Sequence, residues 1–166
     1  MSHSRIFYLV KKQDKDNYPE IVENDIFDRL QPFCSGVDYV IKQTSESDIE
    51  KDFAWVSNIF LKEYEDYKGA ITFDIKNRTI TIGKGFKKSY NDKRYDQLQE
   101  IMKDVYNGRT LAENEYNIME LFAPYGGFIG VTKEDGWIEV NNLEKTLCEL
   151  NEGETYAVVN IFDYHY

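Results

Sequence analysis

The chain of 166 residues carries 30 Asp and Glu against 20 Lys and Arg, for a formal net charge of −10, with 42% hydrophobic and 15% aromatic residues. That length and composition predict one globular domain, able to bury roughly two-thirds of the surface its unfolded form exposes, and exclude a disordered or low-complexity chain. Surplus acid repels nucleic acid and anionic membrane and attracts basic proteins.

Met-Ser-His-Ser-Arg runs straight into Ile6-Phe7-Tyr8-Leu9-Val10, apolar at every position, which predicts a central strand covered on both faces. This run is too short for a signal-peptide core, and none approaches the ~20 residues needed to cross a bilayer, so the expectation is a cytoplasmic protein without a membrane partner. Pro19 suits a helix first turn, with Ile21/Val22, Ile26 and Leu30 at helical spacing before Pro32 ends the element near Gln31. Val37, Tyr39 and Ile41 alternate with Asp38, Val40 and Lys42, a second strand. Ser47-Asp48-Ile49-Glu50 has the form of a capping box, and Ile49, Phe53, Val56 and Phe60 continue as one helical stripe, with Gly69 as the stop.

Ala70 to Gly83 is the cleanest period-two stretch. A turn at Lys76-Asn77 sets Phe73 opposite Ile80 and Ile71 opposite Ile82, whereas a turn at Asn77-Arg78 pairs Ile75 with Ile80; both leave one apolar face. Ser89-Tyr90-Asn91-Asp92 then opens a helix carrying Tyr95, Leu98, Ile101/Met102 and Val105 toward a core, stopped by Gly108. Thr110 starts a further helix, with Leu111, Ile118, Met119 and Phe122 as its apolar side until Pro124. After Gly126-Gly127, a second hairpin turns at Asp135-Gly136, and Asn141 or Asn142 caps a short helix with Leu143, Leu147 and Leu150, closed by Gly153. Thr155 to Phe162 is apolar on both faces like the first strand. The expected fold is a single α+β domain with a mixed, mostly antiparallel sheet, two β-hairpins and about five helices, its first and last strands central.

No cofactor or metal motif emerges. Cys34 and Cys148 are far apart and read as reduced buried thiols. His3 and His165 lie near the termini, the latter as a surface or strand-end residue, and no serine sits in a nucleophile-elbow pattern. Gly83-Lys84-Gly85-Phe86-Lys87-Lys88-Ser89 has the ingredients of a phosphate loop in the wrong order, and Asp14-Lys15-Asp16-Asn17 lacks the glycine and glutamate of a calcium loop.

Charge is unevenly spread. Residues 1–75 carry nine basic and fifteen acidic groups, residues 76–94 seven and one, and residues 95–166 four and fourteen. The basic run includes Lys84, Lys87, Lys88, Lys93 and Arg94, with Phe86 and Tyr90 between. The other feature is tyrosine beside carboxylate: Glu63, Tyr64, Glu65, Asp66 and Tyr67, with Asp163 and Tyr164 as a second site. Tyrosine anchors interfaces and carboxylates steer a basic target. The sequence-level expectation is therefore an acidic cytosolic binding protein, acting without cofactor, that inhibits a basic partner such as a nuclease toxin, as an immunity protein, antitoxin or phage-type inhibitor does. The alternatives are an enzyme or small-molecule-binding domain with a carboxylate-lined pocket, and a nucleic-acid accessory protein using residues 76–94.

Overall fold

The computed structural model describes residues 3–30, 37–122 and 127–165. The sequence features at Pro32, Cys34, Pro124 and Gly126 lie outside them. The elements in order are β1 (His3–Lys11), α1 (Glu23–Leu30), β2 (Tyr39–Lys42), α2 (Glu46–Glu63), β3 (Ile71–Asp74), β4 (Thr79–Ile82), α3 (Phe86–Tyr106), α4 (Glu115–Phe122), β5 (Ile129–Glu134), β6 (Trp137–Asn142), α5 (Leu143–Glu149) and β7 (Thr155–His165). The seven strands form one mixed sheet of order β3-β4-β7-β1-β5-β6, with β2 continuing the line of β4 along the end of β7. β1 and β7 are central and antiparallel, and β1 pairs with β5 in parallel. This is the α+β architecture that the pattern of elements predicts.

Both faces are covered, as the two fully apolar strands require. On one face Phe7 and Leu9 of β1 and Tyr156, Val158 and Ile161 of β7 pack beneath Phe53, Val56 and Phe60 of α2 and Leu143 and Leu147 of α5. On the other, Ile6, Tyr8, Phe162 and Tyr164 pack beneath Ile26 and Leu30 of α1. β7 reaches opposite parities at its two ends because the register slips from Tyr8–Asn160 to Leu9–Val158, leaving Val159 as a bulge.

The hairpin pairing is Ile71–Ile82 and Phe73–Ile80, the first of the two registers. Asp74 selects it by accepting from Asn77 N at 3.1 Å and Asn77 Nδ2 at 2.6 Å, while Arg78 takes a positive φ of 51°. These bonds, that from the Asn77 side chain foremost, hold the Asp74 carboxyl below the usual carboxylate range. Asp135-Gly136 forms the second hairpin turn with φ of 50° and 82°.

Several local expectations are corrected. Pro19 is not in a helix: its carbonyl accepts from Tyr8 Oη at 2.7 Å across the sheet end, and α1 begins at Glu23. The cap of α2 is Ser45 rather than Ser47, its hydroxyl accepting from Asp48 N at 3.4 Å. β2 buries Val40 and turns Ile41 outward. His165 ends β7, as one of its two expected placements has it, but it is buried against Asp38, with Nδ1 and Oδ2 2.9 Å apart, and stacks on Tyr39. α3 starts at Phe86 because Glu152, from the loop before β7, accepts from Gly85 N at 3.1 Å and Lys87 N at 2.9 Å and so caps the helix from a distance. The bonds from Lys87 and Gly85 keep the Glu152 carboxyl below its ordinary range.

α5 lies directly on the backbone of β5. Thr146 Oγ1 donates to Gly130 O at 3.2 Å, and a Cβ at Gly130 would stand 2.5 Å from the Thr146 side chain. Gly130→Ala is therefore expected to destabilise the fold by about 1–3 kcal/mol in urea unfolding; an unchanged midpoint would show that α5 lifts from the sheet at no cost.

Candidate partner-binding surface

The buried carboxylate of Glu144, 2% exposed in its side chain, organises the charge around α3. Asn142 starts α5 by accepting from Glu144 N at 2.9 Å, which aims the Glu144 side chain back toward α3. There Lys93 Nζ donates to it at 2.9 Å and Arg94 Nη2 at 2.7 Å, and the Tyr67 hydroxyl donates to the same oxygen as Lys93. Lys93 lies over the Tyr64 ring at 4.1 Å, Arg94 over the Tyr90 ring at 4.9 Å, and Tyr64 stacks on Tyr67. Arg94 Nη1 also donates to Glu120 O at 3.3 Å, joining α4 to the cluster. Fixing two cations on one buried carboxylate satisfies charges that would otherwise be costly to bury.

This cluster redistributes the residues of interest. Of the basic run, Lys93 and Arg94 are turned onto Glu144, Lys88 pairs with Asp92, and Lys84 and Lys87 sit near Glu152. Of the tyrosine–carboxylate segment, Glu63, Glu65 and Asp66 are exposed, Tyr64 is half-buried, and Tyr67 is fully buried against Phe86 and Glu144. Tyr67 is thus a core residue, not an exposed anchor. The second site is corrected in the same way. Tyr164 is buried and donates to Gly127 O at 3.0 Å, while Asp163 is held at 2.7 Å by Arg5, which also grips Asp52.

The exposed acids gather elsewhere. Asp92, Asp96, Glu100 and Asp104 follow one another at four-residue intervals along α3, so they form a ridge on one side of the helix. Between this ridge and α4 runs a groove of about 490 Å³ lined by Asp96, Gln97, Glu100, Ile101, Asp104, Asn117 and Glu120. A Schellman-type end closes α3, with Gly108 N donating to Val105 O and Arg109 N to Asp104 O, and a reciprocal Thr110–Glu113 capping box opens the next turn. Burial first, and then the charges of Glu144, Glu63 and Glu120, push the Tyr64 phenol above its ordinary range. Sequence reasoning overlooked Asp96, Glu100, Asp104 and Glu120; the four-residue acidic period on a predicted helix was the available signal.

Among the described residues no group of His, Cys, Asp and Glu is placed to hold a metal ion, and no helix is long and apolar enough to cross a membrane. Burial pushes the Cys148 thiol up, which keeps it protonated. No protein-family model, curated protein or solved structure matches the chain.

Two consequences follow from the Glu144 cluster. Glu144→Gln leaves Arg94 without its charge partner and is expected to cost about 3 kcal/mol in chemical unfolding, the low end for a broken buried pair because Lys93 can turn to solvent. Second, burial raises the Tyr67 and Tyr64 phenols above the ordinary range, Tyr67 further through its bond to Glu144, and pushes Tyr8 and Tyr156 up to about 12. The folded state holds these protons more tightly than an unfolded chain, whose phenols titrate near ~10. Their stabilisation is complete below about pH 10 and is lost as pH climbs through 12. Unfolding free energy should fall across that window, less steeply in Tyr67→Phe; identical slopes would exclude Tyr67 from the effect.

Proposed function

We propose that this chain is a small acidic cytoplasmic binding protein that engages and inhibits a basic protein partner, in the manner of an immunity protein, antitoxin or phage-type inhibitor of a nucleic-acid-acting enzyme. The observation that carries the reading is the α3 ridge and its groove: Asp96, Glu100, Asp104 and Glu120 line one depression, with Lys93 and Arg94 withdrawn onto Glu144. Like charges four apart on a helix are mutually destabilising by about 0.2–0.5 kcal/mol per pair. Their cations, Lys88, Lys103 and Arg109, form only exposed pairs, which contribute little, and Asp96 has no ion pair among the described residues. The groove lining holds four acids and no Lys or Arg, although Lys103 and Arg109 stand at Glu100 and Asp104, and such a lining is suited to steering an oppositely charged ligand. The same withdrawal of Lys93 and Arg94 weakens the field a nucleic acid would meet, which favours a protein partner.

The test uses a fluorescent arginine- and lysine-rich peptide as the probe. Binding should weaken as salt is raised, and the triple variant Asp96→Asn, Glu100→Gln, Asp104→Asn should lose about tenfold or more in affinity. Its stability should stay within about 0.5 kcal/mol of the parent, as expected for surface sites. Equal affinity in parent and variant would overturn the reading.

A further inference from the structure

α3 turns two different faces outward. Its 21 residues span roughly 31 Å at ~1.5 Å per residue, and of its side chains only Phe86 and Ile101 are buried. The expected core stripe of this helix is therefore split: Ile101 points inward with Val105 half-buried, whereas Tyr95, Leu98, Met102 and Tyr106 form an exposed apolar stripe. At about 100° per residue that stripe lies on the far side of the helix from the groove, whose α3 wall is Asp96, Gln97, Glu100, Ile101 and Asp104. The chemistry that selects an occupant belongs to the groove.

From Asp96 to Asp104 the groove runs about 12 Å and presents one carboxylate per helical turn, at intervals of ~6 Å. α4 supplies the opposite wall through Asn117 and Glu120. An arginine already meets both walls at one end: Arg94 Nη1 donates to Gln97 Oε1 at 2.9 Å and to Glu120 O at 3.3 Å. That guanidinium is balanced by Glu144, not by the acids of the groove. Lys103 and Arg109, which do not line the groove, reach Glu100 and Asp104 only in exposed pairs that an incoming cation can replace at little cost.

The form of the occupant follows from these dimensions. A helix ~10 Å across would need roughly 900 Å³ over that length, more than the groove's 490 Å³ or so. An extended chain rises ~3.3 Å per residue and turns every second side chain to one face, so its alternate residues stand ~6.6 Å apart and nearly match the carboxylate interval. Arginine suits the site better than lysine, because its planar fork binds carboxylates two bonds at a time and its aliphatic stem can lie along Ile101. We propose that the groove seats an extended segment of the basic partner that carries arginine at alternate positions, with the guanidiniums on Asp96, Glu100 and Asp104 and Glu120 facing them from α4. The proposal rests on the reading of the chain as a binder of basic proteins and names the form in which the partner presents itself. No two arginines of this chain stand two residues apart, so a second copy does not supply the segment.

Three labelled peptides separate the two ideas: one with arginines alternating with threonines, one of the same composition with its arginines contiguous, and one alternating with lysine in place of arginine. Fluorescence anisotropy should show the alternating arginine peptide binding about tenfold or more tightly than either of the others. Asn117→Phe, at an exposed position and checked for folding by circular dichroism, fills the groove while leaving all four acids, and should bring the three peptides to one salt-sensitive affinity. The comparisons on the parent stand whether or not the variant folds. Equal binding of alternating and contiguous arginines to the parent, equal binding of arginine and lysine, or a preference undiminished in the variant overturns the groove seat and leaves the electrostatic reading standing. Failure of all three peptides to bind removes the two together.

Discussion

The antiparallel pairing of β1 with β7 is the constraint on which the rest of the molecule depends. It joins residues from the two ends of the chain, His3 with His165 through to Lys11 with Tyr156, and places both strands where neither face meets water. Every other strand is attached to this pair: β5 and then β6 on the β1 side, β4 and then β3, and β2, on the β7 side. Such non-local pairing is entropically expensive to form and slows folding. The bulge at Val159 gives β7 its two parities, so that its Tyr156 end serves the α2 face and its Phe162–Tyr164 end the α1 face.

α3 and α4 stand outside that arrangement. The arm is fixed at its root by Phe86 in the core and by the distant Glu152 cap, then clasped once more where Glu144 holds Lys93 and Arg94. Beyond Arg94 only Ile101 is buried on α3. The rigid sheet and the buried carboxylate of Glu144 together position a long helix whose distal half is exposed. A helix built this way combines a fixed direction with an uncommitted face.

Much of the fold is readable from local pattern. The continuous apolar run of β1, the Ile49–Phe53–Val56–Phe60 stripe of α2 and the Asp135-Gly136 turn each carry their own structural instruction, and each is found where that instruction puts it. What escapes is whatever depends on a partner far away in sequence. The start of α3 requires Glu152, the burial of Tyr67 requires Glu144, and the closure of Asp163 requires Arg5. The acid–tyrosine motif at Glu63–Tyr67 illustrates the limit: composition marks the segment, but whether a tyrosine is an anchor or a core ring is decided by α5, some 80 residues on. The α3 helix shows the opposite difficulty. Its apolar residues fit helical periodicity so densely that two faces share one pattern, and only the packing separates Ile101 from Leu98 and Met102.

The ridge and stripe of α3 conflict with what would serve the free protein best. Aligned acids repel one another along the helix, and the exposed tyrosines, leucine and methionine keep apolar surface in water; each is a local choice against stability or solubility. Sequences that satisfy local rules elsewhere and break two of them on the same element do so where another requirement acts. The two departures stand on different sides of the helix. At about 100° per residue Glu100 lies roughly 160° round the helix from Leu98 and Met102, so the acids look toward the groove and the apolar row away from it.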